Sequence, residues 1–356
     1  MKIKSIKVEN LRNINHTELS FSSSINLIIG NNGAGKTSLL EAIYLLARAR
    51  SFRQGQQKSQ INKESDHLLI YAITEDQQNH EHRIGFYRTR ANTQVKIDGQ
   101  KANKLSMLAK NLPTVLITPN SHRLIEEGPE HRRRILNWGV FHVEHQFQSQ
   151  MANFSRSLLQ RNTALRSGSK DLQVWNRAFL ECAQAVNESQ ERYFSKLKKE
   201  VFNLSQGIRF LEGLEITFYR GWNKNHSLTE LLKDRLTTDK ERGFTGVGPQ
   251  RADIELSIDR VTTKQLLSRG QQKLLVTIIL LAQSKLLEKS TGEKPIFLFD
   301  DLESELDNQS IEIICSLLEA QQSQTFITSL NAERLNNYQW SKSIRMFHVE
   351  HGRFSV

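Results

Sequence analysis

Residues 30–38 read GNNGAGKTS, and this stretch decides the fold. The apolar run 25–29 leads into it and the apolar-periodic segment 39–46 leads out. Strand, glycine-rich loop, helix is the order a phosphate-binding loop requires, and glycine, four residues, then Gly35-Lys36-Thr37 is its Walker A form. Glycines let the backbone wrap closely with its N–H groups pointing inward. The helix N-terminus adds partial positive charge beneath the phosphates. Gly30, Asn31, Asn32, Gly33, Ala34, Gly35, Lys36, Thr37 and Ser38 are therefore the expected nucleotide-binding set. Lys36 is expected to reach the β and γ phosphates, and the Thr37 hydroxyl to bind Mg²⁺.

The chain has 356 residues, 38% of them hydrophobic and 24% charged, which fits a soluble globular protein with a real core. No apolar run approaches the length of a membrane span. The first residues, MKIKSIKVENLRN, alternate Lys with Ile and Val, which reads as a strand and not a signal peptide. Cys182 and Cys315 stand far apart with no CxxC, so two unpaired buried thiols in a reducing cytosol are expected, and a zinc site is not. The net charge of +11 favours an anionic polymer as partner, most simply nucleic acid.

Strand-like alternation recurs at residues 3–8 and 17–21, with Leu11-Arg12-Asn13 at a turn between them. A basic loop follows the Walker helix at 48–55, and residues 67–100 read as a meander closed by a tight Asp98-Gly99 turn. A helix is expected over 102–110 and a short apolar strand over 112–118. Residues 121–209 are mostly helical, broken near 166–170 into two helices that suggest an antiparallel hairpin. This stretch carries Arg132, Arg133 and Arg134, as well as Arg156 and Arg161, which are either solvated helix faces or DNA contacts. Strands return at 214–219 and 254–258. A helix over 269–288, a nearly all-apolar strand at 295–300, a helix over 309–321 and strands at 325–328 and 344–349 close the chain.

The strand at 295–300 ends in Asp300-Asp301, a Walker B pattern that delivers acids to the ligand-binding edge of an open α/β sheet. Asp300 is expected to hold Mg²⁺, and Asp301 to polarise the attacking water. Upstream, Ser268-Arg269-Gly270-Gln271 opens a helix, with Ser268 at an N-cap position. Ser-x-Gly-Gln ahead of Walker B resembles the signature motif of ABC-type ATPases, and Ser304-Glu305-Leu306-Asp307 resembles their D-loop. The wide gap between Walker A and the signature, filled by an insertion with no sustained heptads, is similar to the SMC-like branch without its long coiled coil.

The whole chain resembles the RecF family of bacterial recombination mediators. The residues that carry the resemblance are 9–13, GNNGAGKTSLLEAI, Ser51-Phe-Arg53, Thr118-Pro119, Gly128-Pro129 with the three arginines, 138–144, Gly248-Pro249, 268–273 and 300–307. It implies an α/β ABC-type ATPase head, lobe I (1–110 and 210–356), with an inserted helical lobe II (111–209). It also implies ATP and Mg²⁺ as cofactors, with Arg12, Ser268, Gly270 and Gln271 joining the nucleotide set and Lys36, Asp301 and Ser268 carrying the chemistry. A cytoplasmic protein that dimerises on ATP follows, with single-stranded and gapped or duplex DNA and RecO and RecR as partners, no membrane, and a role in repair, replication restart and the SOS response. Arg53 joins the three arginines as a DNA candidate.

Three positions depart from pattern: Asn120 where the family has Glu, Asp301 where most ABC-type ATPases have Glu, and Ser329 where a switch histidine would stand. The last two point to slow hydrolysis, a timer more than a motor. An ABC transporter subunit and a non-hydrolysing DNA clamp switched by ATP are the alternative readings. If about five phosphates are neutralised, log DNA affinity should fall against log salt with a slope near −4. Lys36→Met should lower nucleotide affinity by roughly tenfold or more, because one charge-assisted contact is lost. Equilibrium titration with ATP checks this; affinity equal to the unmutated chain would contradict the P-loop assignment.

Overall fold

The computed structural model describes residues 1–53, 60–102, 105–330, 333–336, 338–341 and 343–356. Residues 54 and 55 of the basic loop, and 103–104 of the helix expected over 102–110, lie outside them. The strands are β1 (Lys2–Leu11), β2 (Ile14–Ser20), β3 (Ile25–Ile29), β4 (His67–Glu75), β5 (Glu81–Thr89), β6 (Thr93–Ile97), β7 (Gln100–Lys101) and β8 (Thr114–Ile117). They continue with β9 (Leu214–Tyr219), β10 (Asp253–Ile258), β11 (Val261–Thr262), β12 (Ile296–Phe299), β13 (Thr325–Ser329), β14 (Ile344–Glu350) and β15 (Arg353–Ser355). The helices are α1 (Lys36–Arg48), α2 (Leu105–Asn111), α3 (Arg123–Glu126), α4 (Pro129–Val143), α5 (Phe147–Ser167) and α6 (Leu172–Ser205). Then come α7 (Leu228–Asp234), α8 (Leu236–Arg242), α9 (Thr263–Leu266), α10 (Arg269–Thr291), α11 (Asn308–Gln321) and α12 (Glu333–Asn336).

The chain forms two compact units. The first is Met1–Ser121, Arg269–Glu288 and Gly292–Val356. The second is His122–Ser268 with Lys289–Thr291. Residues 210–268, placed in the ATPase lobe by the sequence reading, thus cluster with the helical insertion. The reason is local: β9, β10 and β11 form their own antiparallel sheet, and Asp253 on β10 is tied to Arg132 on α4.

In the first unit an antiparallel sheet runs β2-β1-β4-β5-β6-β7. Alternation in β1 sends Ile6 and Val8 inward, and a register shift between Ile3 and Ser5 lets Ile3 join them. The Asp98-Gly99 turn has positive φ at both residues, 50° and 80°, as a two-residue hairpin loop demands. The second sheet runs β15-β14-β3-β13-β12-β8, parallel except for the β14–β15 hairpin. Every residue of β3 and β12 is buried, as expected of strands covered on both faces. Leu39, Leu40, Ile43 and Leu46 of α1 share one core with Ile6, Val8, Ile70 and Phe86. Burying each such side chain stabilises by roughly 1.5–3 kcal/mol.

In the second unit α5 and α6 form a helical hairpin, broken at Gly168 in the left-handed conformation. Arg161 does not lie on a solvated face. It is completely buried, with Nη1 donating to Asp239 at 3.0 Å and to Thr245 at 2.6 Å. Cys315 is buried as expected, whereas Cys182 is only half-buried. Among the described residues no helix is long and apolar enough to cross a membrane.

Candidate nucleotide site

The P-loop conformation follows from its glycines. A Cβ on Gly30 would lie 2.3 Å from the Val349 carbonyl oxygen, so only glycine lets the loop leave β3 against β14. Gly35 has φ 125°, which other residues rarely adopt, and it turns the chain into α1 with no side-chain cap on the first turn. The free end of that helix is where an anion is favoured. Asn13 braces the loop from outside: its Nδ2 donates to the Gly33 carbonyl at 3.0 Å, and its Oδ1 accepts from Ser38 Oγ at 3.1 Å. Gly352 N donates to the Ala34 carbonyl at 2.7 Å, so the C-terminal hairpin backs the loop as well.

The sheet order brings the two halves of the site together. Strand β13 lies between β3 and β12, so the ends of all three meet at one edge. There the Thr37 hydroxyl donates to Asp300 Oδ1 at 2.8 Å, and Thr328 Oγ1 donates to the same oxygen at 3.1 Å. Asp301 is fixed by its backbone N–H, which donates to Thr328 Oγ1 at 2.8 Å. Burial raises the Asp300 pKa, against the pull of its two threonine hydrogen bonds. Lys36, 8% exposed, donates to the carbonyls of Gly30 at 2.5 Å and Asn31 at 3.1 Å. Burial lowers its pKa while Asp301 and Asp300 raise it. A cleft of about 400 Å³ opens over these groups. Arg12, Lys36, Thr37, Arg53, Asp300 and Asp301 line it, with Asn31, Asn32, Gly33, Gly35 and Ser38 of the loop.

Arg12 and Arg53 reach the cleft through a residue the sequence reading missed. Glu41, on the inner face of α1, is 0% exposed. Arg12 Nε and Nη2 grip its two oxygens at 2.9 Å each. The Ser51 hydroxyl donates to it at 2.6 Å and accepts the Arg53 N–H at 2.9 Å, which turns Arg53 toward the same carboxylate, 3.9 Å away. Arg53, expected on DNA, stands instead at the nucleotide cleft. The available signal was one acid inside the apolar run SLLEAIYLL, at a helical position that faces the core. Thr328 gave no sequence signal, because its role comes from strand order alone.

Gly270 and Gln271 are not among the lining residues, and Ser268 belongs to the second unit. Ser329 donates to Glu303 at 2.5 Å, so a part-buried hydroxyl–carboxylate pair occupies the position of a switch histidine. The arginine triplet does not form a patch. Arg132 donates bidentately to Asp253 at 2.7 and 2.9 Å and also to the carbonyls of Leu124, Ile125 and Glu127. Arg133 donates to the Ala252 carbonyl at 2.8 Å, and Arg134 pairs with Glu130 on an exposed turn. A hollow of about 760 Å³ beside Arg132 mixes Glu126, Glu127 and Glu255 with Arg260 and Lys264, so it presents no single-sign field to a polyanion.

The strand order and the cleft define an ATPase head of the ABC and SMC type. A head domain of SMC from Pyrococcus furiosus shares the fold at TM-score 0.61, with 14% identity over 99% of this chain and 95% of that one. The family described as the RecF/RecN/SMC N terminal domain matches residues 2–355. The DNA replication and repair protein RecF of Shewanella oneidensis is 39% identical over 100% of this chain and 99% of its own. RecF of Pseudomonas fluorescens is 40% identical over 100% and 98%. A solved structure of the recombination mediator protein RecF-ATP in the RecFOR pathway superposes at TM-score 0.82, with 26% identity over 99% of this chain and 97% of that one. This chain belongs to the RecF family.

Truncating Arg132 removes the bidentate partner of the part-buried Asp253, which keeps the Ile254 N–H, so Arg132→Ala should lower the free energy of unfolding by about 1.5–3 kcal/mol. Arg134→Ala, on an exposed pair, should change it by less than about 1 kcal/mol. Urea denaturation of both variants checks the contrast; equal losses would contradict it.

Proposed function

We propose that this protein is an ATP-dependent DNA-binding protein of recombinational repair and replication restart, acting as a switch that dimerises on ATP. The observation that carries the reading is the meeting of Thr37 and Asp300 at 2.8 Å over the open end of α1. That pair is the oxygen set a Mg²⁺ bound to nucleotide needs, and it lines the same cleft as Lys36 and the glycine-rich loop. Thr37 and Asp300 would hold the metal, which supplies charge neutralisation on the β and γ phosphates. Arg12 and Arg53, aimed by Glu41, add positive charge at the cleft. Asp301 would orient the attacking water.

Full-length likeness to RecF proteins supports the repair role, with DNA as ligand and RecO and RecR as partners in the same pathway. The net charge of +11 supports the DNA part. The Asp301 carboxylate, shorter than Glu, and the Ser329–Glu303 pair favour slow turnover that times release. The same two features keep a non-hydrolysing clamp in view; phosphate release compared with Asp301→Asn separates the two.

The P-loop side of the cleft holds a triphosphate from one direction. Ser268, Gly270 and the start of α10 have a hydroxyl, a close-approaching backbone and a positive helix end for the other. Placed across a two-fold axis, two such heads would bury two ATP molecules. ATP, and not ADP, should then drive dimerisation, since only the γ-phosphate offers the missing contact. Ser268→Arg should bind ATP nearly as the unmutated chain does but remain a monomer and lose most hydrolysis. Analytical ultracentrifugation with ATP and with ADP decides; a Ser268→Arg protein that dimerises like wild type would refute the mechanism.

A further inference from the structure

The first turns of α10 carry a lysine for which the cleft itself has no use. Lys273 is 0% exposed. Its Nζ donates to three main-chain oxygens: Asp301 at 3.2 Å, Leu302 at 3.1 Å and Ser304 at 2.9 Å. Burial pulls its pKa down to about 8, while Asp301, Glu305 and Asp300 favour the charged form. At pH 7 the amine therefore keeps its proton, and its three N–H groups meet three acceptors.

The segment held in this way is strained. Asp301 has φ 50° and Glu305 φ 66°, left-handed values for residues that carry a Cβ. The Asp301 N–H is tied to Thr328 on β13, and its carbonyl to Lys273 on α10. Both peptide groups flanking the Asp301 Cα are thus anchored, which fixes the direction in which its carboxylate leaves the chain. A second contact joins the same elements, because a Cβ on Gly270 would lie 2.4 Å from the Glu305 carbonyl oxygen. Without the ammonium, the buried Leu302 carbonyl and the part-buried Asp301 and Ser304 carbonyls would lose this donor, with Asp301 keeping only the bond from the Ser304 N–H, a cost the loop would relieve by moving.

We propose that Lys273 is a positioning residue that clamps the Asp301 loop to the start of α10, so that displacement of the signature segment moves the acid. The inference rests on the ATPase reading above. If the signature segment of one head meets ATP held by its partner, Lys273 makes that engagement felt at Asp301 of its own head. The two cleft acids then respond to each other's nucleotide through one buried side chain.

The test uses full-length Lys273→Met and Lys273→Arg. In nucleotide-free protein, amide hydrogen exchange over residues 300–307 should be about tenfold faster in Lys273→Met, with residues 30–38 unchanged. With Mg-ATP, kcat should fall by about tenfold or more while ATP affinity stays within about twofold, and Lys273→Arg should recover most of the loss. Unaltered exchange over 300–307 in a natively folded Lys273→Met protein would overturn the clamp. Faster exchange with unchanged kcat would overturn the link to Asp301. If the methionine variant does not fold, Lys273→Gln replaces it under the same criteria. A wild-type chain that binds no ATP would sink the ATPase reading, and the exchange data alone would then judge the clamp. A chain that binds ATP without turning it over would remove the link to Asp301.

Discussion

One hydrogen bond, from the Thr37 hydroxyl to Asp300, depends on more of this structure than any other contact in the cleft. It joins the first helical turn after β3 to the end of β12, strands that are not neighbours. It can form only if β13 lies between them in parallel register, with Thr328 at its end to receive the acids. Those strands in turn stay buried because α1 packs its apolar face on the common core. The chemistry of the site is thus a consequence of sheet order, and the glycines of the loop only finish what the strands begin.

A second theme is the use of buried charge. Glu41 gathers Arg12, Ser51 and the approach of Arg53; Lys273 gathers three carbonyls; Arg161 meets Asp239; and, part-buried, Arg132 meets Asp253. A buried pair adds little net stability over a well-packed apolar pair, yet removing one partner is costly. Such pairs therefore favour one arrangement over its neighbours more than they add to its depth. At Glu41 and Lys273 the arrangement favoured is that of the groups lining the nucleotide cleft. This gives a physical reason for polar residues at core positions on α1 and α10.

Much of the fold was legible in the chain. Period-two alternation located β1 and β2, the meander reading located β4, β5 and β6, continuous apolar runs located β3 and β12, and the glycine loop and Asp300-Asp301 announced the two halves of the cleft. The sequence was weakest where a residue's meaning depends on a partner far along the chain. Arg132 reads as a surface cation until Asp253, 121 residues away, is folded against it. Arg161 looks solvated until Asp239 and Thr245 arrive. Arg53 points to DNA on charge alone, and only Glu41 turns it to the cleft. The strands β9 and β10 carry the right pattern, but no local signal says which unit they join, and the two-residue β11 carries no readable pattern.

The central requirement is that the Thr37–Asp300 pair bind a nucleotide-held Mg²⁺. Calorimetric titration of the nucleotide-free chain with ATP, with Mg²⁺ and with EDTA, tests this most directly. One ATP per chain is predicted. Removing Mg²⁺ should weaken binding by about tenfold, roughly 1.4 kcal/mol, and that sensitivity should disappear in Asp300→Asn. Absence of ATP binding, or an affinity that depends on Mg²⁺ equally in wild type and Asp300→Asn, would contradict it.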